Sequence, residues 1–257
     1  MGVREWAGLG ARFGLDAVDL SILFLPERTL SAAAAVRKQV EEAGMRVAML
    51  ATYPDFTHPD VDRRRHEIAL AKQSVALAAE MGAELMRVTA GQAHPETSRS
   101  SGLEWAVEGL SELVLAAEGS GVTLVYENHS KPGIWPYTDF STPQDVFLEI
   151  FHDTAAFALG VNFDTANATV FTPDPVALLR QVIGRVISIH AADTATCGEL
   201  RPVLLGTGVV PFDTLLACLR AAGWDNWICI EEASFRGASG VAQAVDFIRQ
   251  AWAVAMH

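Results

Sequence analysis

The sequence has few basic residues, few cysteines and no long uninterrupted apolar run. Its 19 lysines and arginines face 31 aspartates and glutamates, which leaves a net charge of −12 at neutral pH. A strongly acidic chain repels phosphate backbones and anionic lipid surfaces, so we expect neither a nucleic-acid partner nor a membrane partner. Charged residues or prolines interrupt every apolar stretch before it reaches about 18 residues, the length that a membrane-spanning helix needs.

The cysteine pattern excludes a disulfide framework. The three cysteines, Cys197, Cys218 and Cys229, show no CxxC spacing, and an odd number cannot be fully paired within one chain. Asp16 and Asp19 interrupt the only apolar run near the start that could serve as a secretory leader. We therefore expect a protein of the reducing cytoplasm.

The sequence also lacks a GxGxxG turn, so a dinucleotide-binding open sheet is not indicated. Instead, one sequence pattern repeats six times. In each copy an alanine-rich helical segment is followed by a glycine and then by a short β-branched run. Glycine adopts the left-handed conformation at the end of a helix at the lowest cost. We predict this conformation for Gly14, Gly44, Gly82, Gly121, Gly184 and Gly223.

Seven short apolar segments follow the helical patterns and predict seven strands. They span residues 16–22, 46–51, 85–89, 122–127, 158–164, 186–190 and 227–231. Strands that are apolar on both faces and alternate with helices form a parallel sheet that helices cover. Seven such units in 257 residues favour a single domain over residues 1–257, an α/β fold of the (β/α)8 TIM-barrel type.

No strand precedes the first helical pattern, VREWAGLGARFG. A complete barrel of this type begins with a strand, so either the first strand is missing from the chain or Met1 is not the complete start. We prefer the first interpretation, which predicts an open seam in the barrel. Exposed strand edges invite association, so we expect a homo-oligomer in which a partner subunit covers the seam.

Polar residues end the last four predicted strands: Glu127, Asp164, His190 and Glu231. The carboxyl ends of barrel strands meet at one mouth, where active sites are built. Three carboxylates in one place raise one another's pKa unless a cation neutralises them. Oxygen ligands with one imidazole suit Mn²⁺, Mg²⁺ or Co²⁺ better than a closed structural zinc site, with Zn²⁺ as the remaining alternative. Taken singly, Asp164 could merely cap the turn that follows it, and His190 could be a core histidine.

The chain resembles the xylose isomerase-like TIM barrel superfamily of sugar phosphate isomerases and epimerases. The resemblance extends from residue 3 onward and is most specific in ENH, FDTAN, SIHAAD and LGTGVVPFDTLLACLRAAGWDNWICIEE. In that family a Glu, an Asp, a His and a Glu from strands five to eight hold one divalent ion. The resemblance therefore implies Glu127, Asp164, His190 and Glu231 as metal ligands, and it implies that the missing strand is the first.

The resemblance also implies an activity, which is isomerisation or epimerisation of a sugar or sugar phosphate. The enzyme would remove a proton next to a metal-bound carbonyl and form an enediolate. In the related epimerases the two metal-binding glutamates are also the acid and the base, which implies these roles for Glu127 and Glu231. Glu232 is the alternative base, but strand alternation turns it away from its neighbour.

Three residues are candidates for contact with a small-molecule substrate. Asn167 stands where many relatives have a histidine, and an asparagine can donate to a sugar hydroxyl but does not readily bind a second metal. His129 alternates in phase with Glu127. Arg236 follows Glu231 on a loop, where it could meet a phosphate.

Other functions fit the same residues. A dehydratase of the inosose or dehydroshikimate type would remove the same proton and then lose hydroxide. A non-catalytic barrel would bind a sugar without converting it. Phosphodiester hydrolysis of the endonuclease IV type needs more metal ligands and a basic face, and the net charge of −12 argues against it.

Overall fold

The computed structural model describes residues 1–131 and 133–255. They form two compact units, the first of residues 1–126 and 131–160 and the second of residues 127–130 and 161 onward. The described residues contain seven parallel strands, one antiparallel pair and nine α-helices. No helix among them is both long enough and apolar enough to cross a membrane. That the two units make one domain stays a prediction.

The first unit contains four parallel strands with helices between them, except that Glu127, the last residue of the fourth strand, belongs to the second unit. The strands are β1 (Ala17–Ser21), β2 (Arg46–Ala51), β3 (Leu85–Val88) and β4 (Thr123–Glu127), and they pair in this order. The helices are α1 (Val3–Arg12), α2 (Leu30–Glu42), α3 (Val61–Glu80), α4 (Arg99–Ala117) and α5 (Gln144–Asp153). β2 and β3 are buried almost throughout, as expected for strands that helices cover.

Local sequence signals start these helices. The carboxylate of Asp60 accepts hydrogen bonds from the backbone N–H groups of Asp62 and Arg63, at 2.8 and 3.2 Å, and so begins α3. The same two bonds lower the pKa of Asp60. Thr29 caps α2 and Ser98 caps α4 in the same way.

The second unit contributes three parallel strands, paired in the order β5, β6, β9. β5 is Leu159–Asp164, β6 is Val186–Ala191 and β9 is Trp227–Ile230. The helices are α6 (Thr165–Phe171), α7 (Pro175–Val182), α8 (Phe212–Ala221) and α9 (Ala238–Val254). All seven predicted strands are present, and their ends lie within two residues of the predicted ones.

Two features differ from the expectations. A short antiparallel pair, β7 (Asp193–Thr196) and β8 (Glu199–Val203), lies between β6 and α8 and was not predicted. Five of the six repeat glycines have the left-handed conformation, but Gly184 does not, so the prediction for Gly184 was wrong. α7 continues there into the 3₁₀ turn Ile183–Arg185 and enters β6 without a left-handed residue.

Candidate metal centre

The parallel register aligns the predicted ligands at the carboxyl ends of their strands. Glu127 is the last residue of β4, and Asp164 is the last residue of β5. Asp164 lies opposite His190 of β6. Glu231 follows β9, and its N–H continues the ladder by donating to the carbonyl of Ala191 at 3.0 Å. All four predicted ligands belong to the second unit.

Three of the four residues form a compact set. One ligand atom each from Glu127, Asp164 and His190 lie within 4.8 Å of one another, and all three residues are buried. Nδ1 of His190 is 2.9 Å from Oε1 of Glu127 and 3.3 Å from Oε2 of Glu231. The side chain of Glu231 is 56% exposed, so it reaches the imidazole from the open side of the set.

The negative charges of the carboxylates in this set favour binding of a cation. Burial, together with the negative charges of Glu231 and Glu127, raises the pKa of Asp164 well above its usual range. A divalent ion would compensate these carboxylates, and oxygen donors with one imidazole are ligands that Mn²⁺, Mg²⁺ and Co²⁺ accept. The donor set therefore fits the expected metal ion.

A buried hydrogen-bond chain positions Glu127. Nδ2 of Asn162 donates to Oε1 of Glu127 at 2.6 Å, and Oγ of Ser188 donates to Oδ1 of Asn162 at 2.6 Å. Asn162 and Ser188 are fully enclosed. Neither residue was predicted from the sequence. A signal was available, because Asn162 interrupts an apolar strand two positions before Asp164, on the same face of the strand.

Asn128 holds the backbone of Asp164 from the other side. Its Nδ2 donates to the carbonyl of Asp164 at 2.8 Å, and its Oδ1 accepts from the N–H of Asp164 at 2.9 Å. The side-chain amide of Asn128 thus makes the two hydrogen bonds to Asp164 that the backbone of a neighbouring strand would make. Asn128 is fully buried, so both bonds are shielded from water.

Asp164 also caps the helix after it, as the simpler interpretation of this residue predicted. Its Oδ1 accepts from the N–H of Asn167 at 2.6 Å, at the start of α6. A carboxylate has a second oxygen, so capping and metal binding are compatible.

The structure places Asn167 against the segment after Glu127. Its Oδ1 accepts from the N–H and the Oγ of Ser130, at 3.2 and 2.5 Å. Asn167 therefore ties residues 127–130 to α6. Its contact with a substrate stays a prediction.

The remaining candidates are His129, Arg236 and Glu232. Nε2 of His129 is 3.8 Å from Oε2 of Glu127, and the side chain is largely buried. Arg236 is exposed on the segment that follows Glu231. Oε1 of Glu232 accepts from the N–H of Ser234 at 2.8 Å, which engages this carboxylate in its own loop. Substrate contact by His129 and Arg236 also stays a prediction.

Asp193, which was not predicted as a site residue from the sequence, organises the loop after β6. Its carboxylate accepts hydrogen bonds from four backbone N–H groups, those of Thr194, Gly206, Gly208 and Val210. A carboxylate with four donors is fully engaged, so Asp193 is a structural residue. The Asp193 carboxylate also explains why residue 208, in the segment LGTGVV, is a glycine. The backbone of Gly208 approaches Asp193 so closely that a Cβ atom would collide with the carboxylate.

Comparison with known proteins identifies the family. The xylose isomerase-like TIM barrel family matches residues 8–251. L-ribulose 3-epimerase has a similar structure, with a TM-score of 0.80 and 16% identity over 99% of this chain and 90% of that chain. A xylose isomerase domain protein from Planctomyces limnophilus has a TM-score of 0.73 and 22% identity over 95% and 90% of the two chains.

A third similar structure is the probable 3-DHS dehydratase AsbF from Bacillus anthracis, with a TM-score of 0.78 and 14% identity over 97% of this chain and 94% of that chain. No curated protein sequence matches this chain. At these identities the structural likeness shows the fold alone, and it confirms the predicted (β/α)8 fold class. Since the family match covers almost the whole sequence, this protein belongs to the xylose isomerase-like TIM barrel family.

Proposed function

We propose that this protein is a divalent-metal-dependent isomerase or epimerase of sugars or sugar phosphates. The observation that carries the proposal is the set of Glu127, Asp164 and His190, whose ligand atoms lie within 4.8 Å of one another, with Glu231 beside the imidazole. L-ribulose 3-epimerase, a protein of similar structure, supports this class of reaction.

The four residues Glu127, Asp164, His190 and Glu231 would hold one Mn²⁺, Mg²⁺ or Co²⁺ ion, with Zn²⁺ as the alternative. A divalent ion bound there supplies Lewis acidity to a substrate carbonyl and so acidifies the neighbouring C–H. The chain itself supplies the proton acceptors and donors. Glu127 and Glu231 approach the same imidazole nitrogen, and we assign proton removal and proton return to these two carboxylates.

Asn162 fixes Oε1 of Glu127 by a hydrogen bond of 2.6 Å, while Glu231 is more than half exposed. The enclosed carboxylate therefore keeps one position, and the exposed one can adjust to a substrate. This difference suits an acid–base pair in which Glu127 keeps a fixed position and Glu231 moves to accommodate the sugar.

A dehydratase is the second candidate, favoured by the structural likeness to the probable 3-DHS dehydratase AsbF. The same carboxylates would remove the proton, and hydroxide would then leave from the next carbon. A non-catalytic sugar-binding protein is the third candidate, and it requires no turnover at all.

One experiment separates these candidates. The Mn²⁺-loaded protein is incubated in D₂O with a panel of ketoses, ketose phosphates, inososes and 3-dehydroshikimate, and products are followed by NMR. Our proposal predicts deuterium at the carbon next to the carbonyl without loss of water. Loss of water supports the dehydratase, and sugar binding without exchange or dehydration supports the non-catalytic protein.

Variants test the residues. We expect Glu127→Gln to reduce exchange by at least about 100-fold, because it removes a proton acceptor and a metal ligand. Glu232→Gln is the matched control, since its carboxylate is engaged with Ser234, and it should keep exchange within a few-fold. Equal exchange by both variants would contradict the assigned roles, and metal content measured on both variants separates lost binding from lost chemistry.

A further inference from the structure

The segment after Glu231 contains a strained residue that the proposed reaction does not use. Phe235 has a φ of 61°, and among the residues that the structure describes it is the only one other than glycine with a left-handed backbone. A bulky side chain in this conformation crowds its own backbone, so the conformation is costly for phenylalanine. Such strain persists only where the surrounding structure imposes it, and it is concentrated at ligand clamps and switch segments.

The side chain of Phe235 is also unusually exposed. Phe235 is 96% exposed, more than any other large apolar residue that the structure describes. A single exposed apolar side chain is ordinary, but exposure and backbone strain at one residue are two separate costs. Neither cost stabilises the ligand-free fold. A contact that forms only when a ligand binds would account for both.

Hydrogen bonds on both sides of Phe235 impose its conformation. On one side, the N–H of Ser234 donates to Oε1 of Glu232 at 2.8 Å. On the other side, Oγ of Ser239 in α9 donates to the carbonyl of Arg236 at 3.0 Å. The strained residue therefore lies between two anchored turns, and rotation at residue 235 moves its ring without unfolding β9 or α9.

Phe235 lies close to the candidate metal centre along the chain. It follows Glu231 by four residues, and four residues span at most about 14 Å. Oε2 of Glu231 is 3.3 Å from Nδ1 of His190, and the side chain of Glu231 is 56% exposed. All three residues belong to the second unit. A sugar bound beside Glu231 is therefore within reach of the Phe235 ring.

We propose that Phe235 is a specificity-determining residue that folds over the bound sugar and packs its ring against the carbons beyond the reacting ones. This role rests on the proposed function, in which the carbonyl end of the substrate lies at the four candidate metal ligands. The C–H groups of the distal carbons offer an apolar surface to the ring, and the ring excludes water from them. Rotation of residue 235 out of the left-handed region relieves the strain, and the ring leaves water at the same time, so both changes favour the closed segment.

Substrate length reports this contact. The four-carbon ketose erythrulose ends close to the reacting carbons, whereas the six-carbon ketoses fructose and tagatose extend further. Contacts with distal carbons contribute binding energy only to the longer substrates. Phe235 therefore favours six-carbon over four-carbon ketoses.

Phe235→Gly tests the role, because glycine removes the ring and accepts the left-handed conformation without strain. We expect kcat/KM of the Mn²⁺-loaded variant to fall at least about tenfold for the better of fructose and tagatose, and less than about threefold for erythrulose. The midpoint of thermal unfolding should rise, since the strain is gone. Phe235→Tyr keeps the ring and should keep the preference for six carbons. Equal losses for long and short ketoses, or no loss for either, would overturn the proposal.

Leu200→Ala is the matched control for loss of an exposed apolar side chain. Leu200 is 40% exposed on β8, in the same unit. This variant should keep the wild-type ratio of kcat/KM between six-carbon and four-carbon ketoses. A change in this ratio as large as that of Phe235→Gly would show that general loss of apolar surface, not the Phe235 ring, sets the preference.

Chymotrypsin cleavage reads closure of the segment without any turnover. Chymotrypsin cuts after exposed aromatic residues, and Phe235 and Phe24 are 96% and 72% exposed. We expect saturating fructose or tagatose, added to the Mn²⁺-loaded protein, to slow cleavage after Phe235 at least about fivefold, because cleavage follows the population of the open form. Cleavage after Phe24 should not change. Unchanged cleavage after Phe235 with both sugars, or equal protection at both residues, would contradict closure.

The two measurements separate failure of this role from failure of the proposed function. Exchange by the wild-type protein that Phe235→Gly leaves unaltered overturns the role of Phe235 and leaves the isomerase proposal intact. Protection at Phe235 without any exchange supports closure and contradicts the isomerase. A lower mass of Phe235→Gly in light scattering would place Phe235 in a contact between subunits and overturn its role at the substrate.

Discussion

At the residue scale, neutral amides do most of the positioning in the candidate metal centre. Asn162 donates to Glu127, and Asn128 pairs with the backbone of Asp164. An amide can orient a carboxylate by donating a hydrogen bond without adding charge to a site that already holds three carboxylates. The oxygen of Asn162 is itself satisfied by Ser188, so no polar atom in this short chain is left without a bond.

The prediction at this scale concerns Asn162. Asn162→Ala removes the donor to Glu127 and leaves Ser188 without its acceptor. We expect the free energy of unfolding to fall by about 1–3 kcal/mol and Mn²⁺ affinity to fall by about 10- to 100-fold, measured by urea denaturation and by metal titration. Asn226→Ala changes the same residue type at an exposed position and should leave both quantities near the wild-type values. A metal affinity that Asn162→Ala does not alter would show that Asn162 only fills space.

At the element scale, strand ends and the loops after them form the site. The apolar strands β5 and β6 are buried along almost their whole length, and their register sets Asp164 opposite His190. Asp193, the first residue of β7, holds the loop after β6. Its carboxylate accepts hydrogen bonds from the N–H of Thr194 in β7 and from the N–H of Val210, which follows β8. A stable loop at this point keeps the carboxyl end of β6 in place.

The prediction at this scale uses Gly208. A Cβ added at Gly208 would collide with the carbonyl of Thr194 and the carboxylate of Asp193, so Gly208→Ala must displace the loop. We expect a loss of about 1–3 kcal/mol in the free energy of unfolding, measured by urea denaturation. Gly184→Ala is the control, because its Cβ would meet open space and its backbone is not left-handed. Equal losses for the two variants would mean that the close approach at Gly208 does not matter.

At the scale of the whole molecule, burial differs between the strands of the second unit. Every residue of β5 is buried, whereas every residue of β9 is half-buried. β9 is also the last strand of the sheet found in the described residues. Strand edges that are accessible and partly apolar promote association, as in the interfaces of many symmetric oligomers.

We therefore expect the protein to be a homo-oligomer in which a partner subunit covers β9. Light scattering coupled to gel filtration should give a multiple of the monomer mass. The midpoint of thermal unfolding should rise with protein concentration, because association stabilises the folded chain by mass action. A stable monomer whose unfolding midpoint is independent of concentration would refute this expectation.

The sequence by itself determined the seven parallel strands, the helix ends at five of the six repeat glycines and the four polar residues at the strand ends. These features have local causes: an apolar run forms a strand, and glycine at residues such as Gly44 and Gly82 ends the helix before it. Gly184 marks the limit of that argument, because the same local pattern there continues through a 3₁₀ turn into β6.

Only the tertiary structure decided which polar side chains meet. Asn162 binds Glu127 from 35 positions away, and His94 binds Asp55 from 39 positions away. No local pattern specifies such pairs, because their geometry depends on the register of neighbouring strands and on the path of the loops after them. The four candidate ligands are predictable from the sequence because each ends an apolar strand, whereas the residues that orient them depend on which strands are neighbours in the sheet.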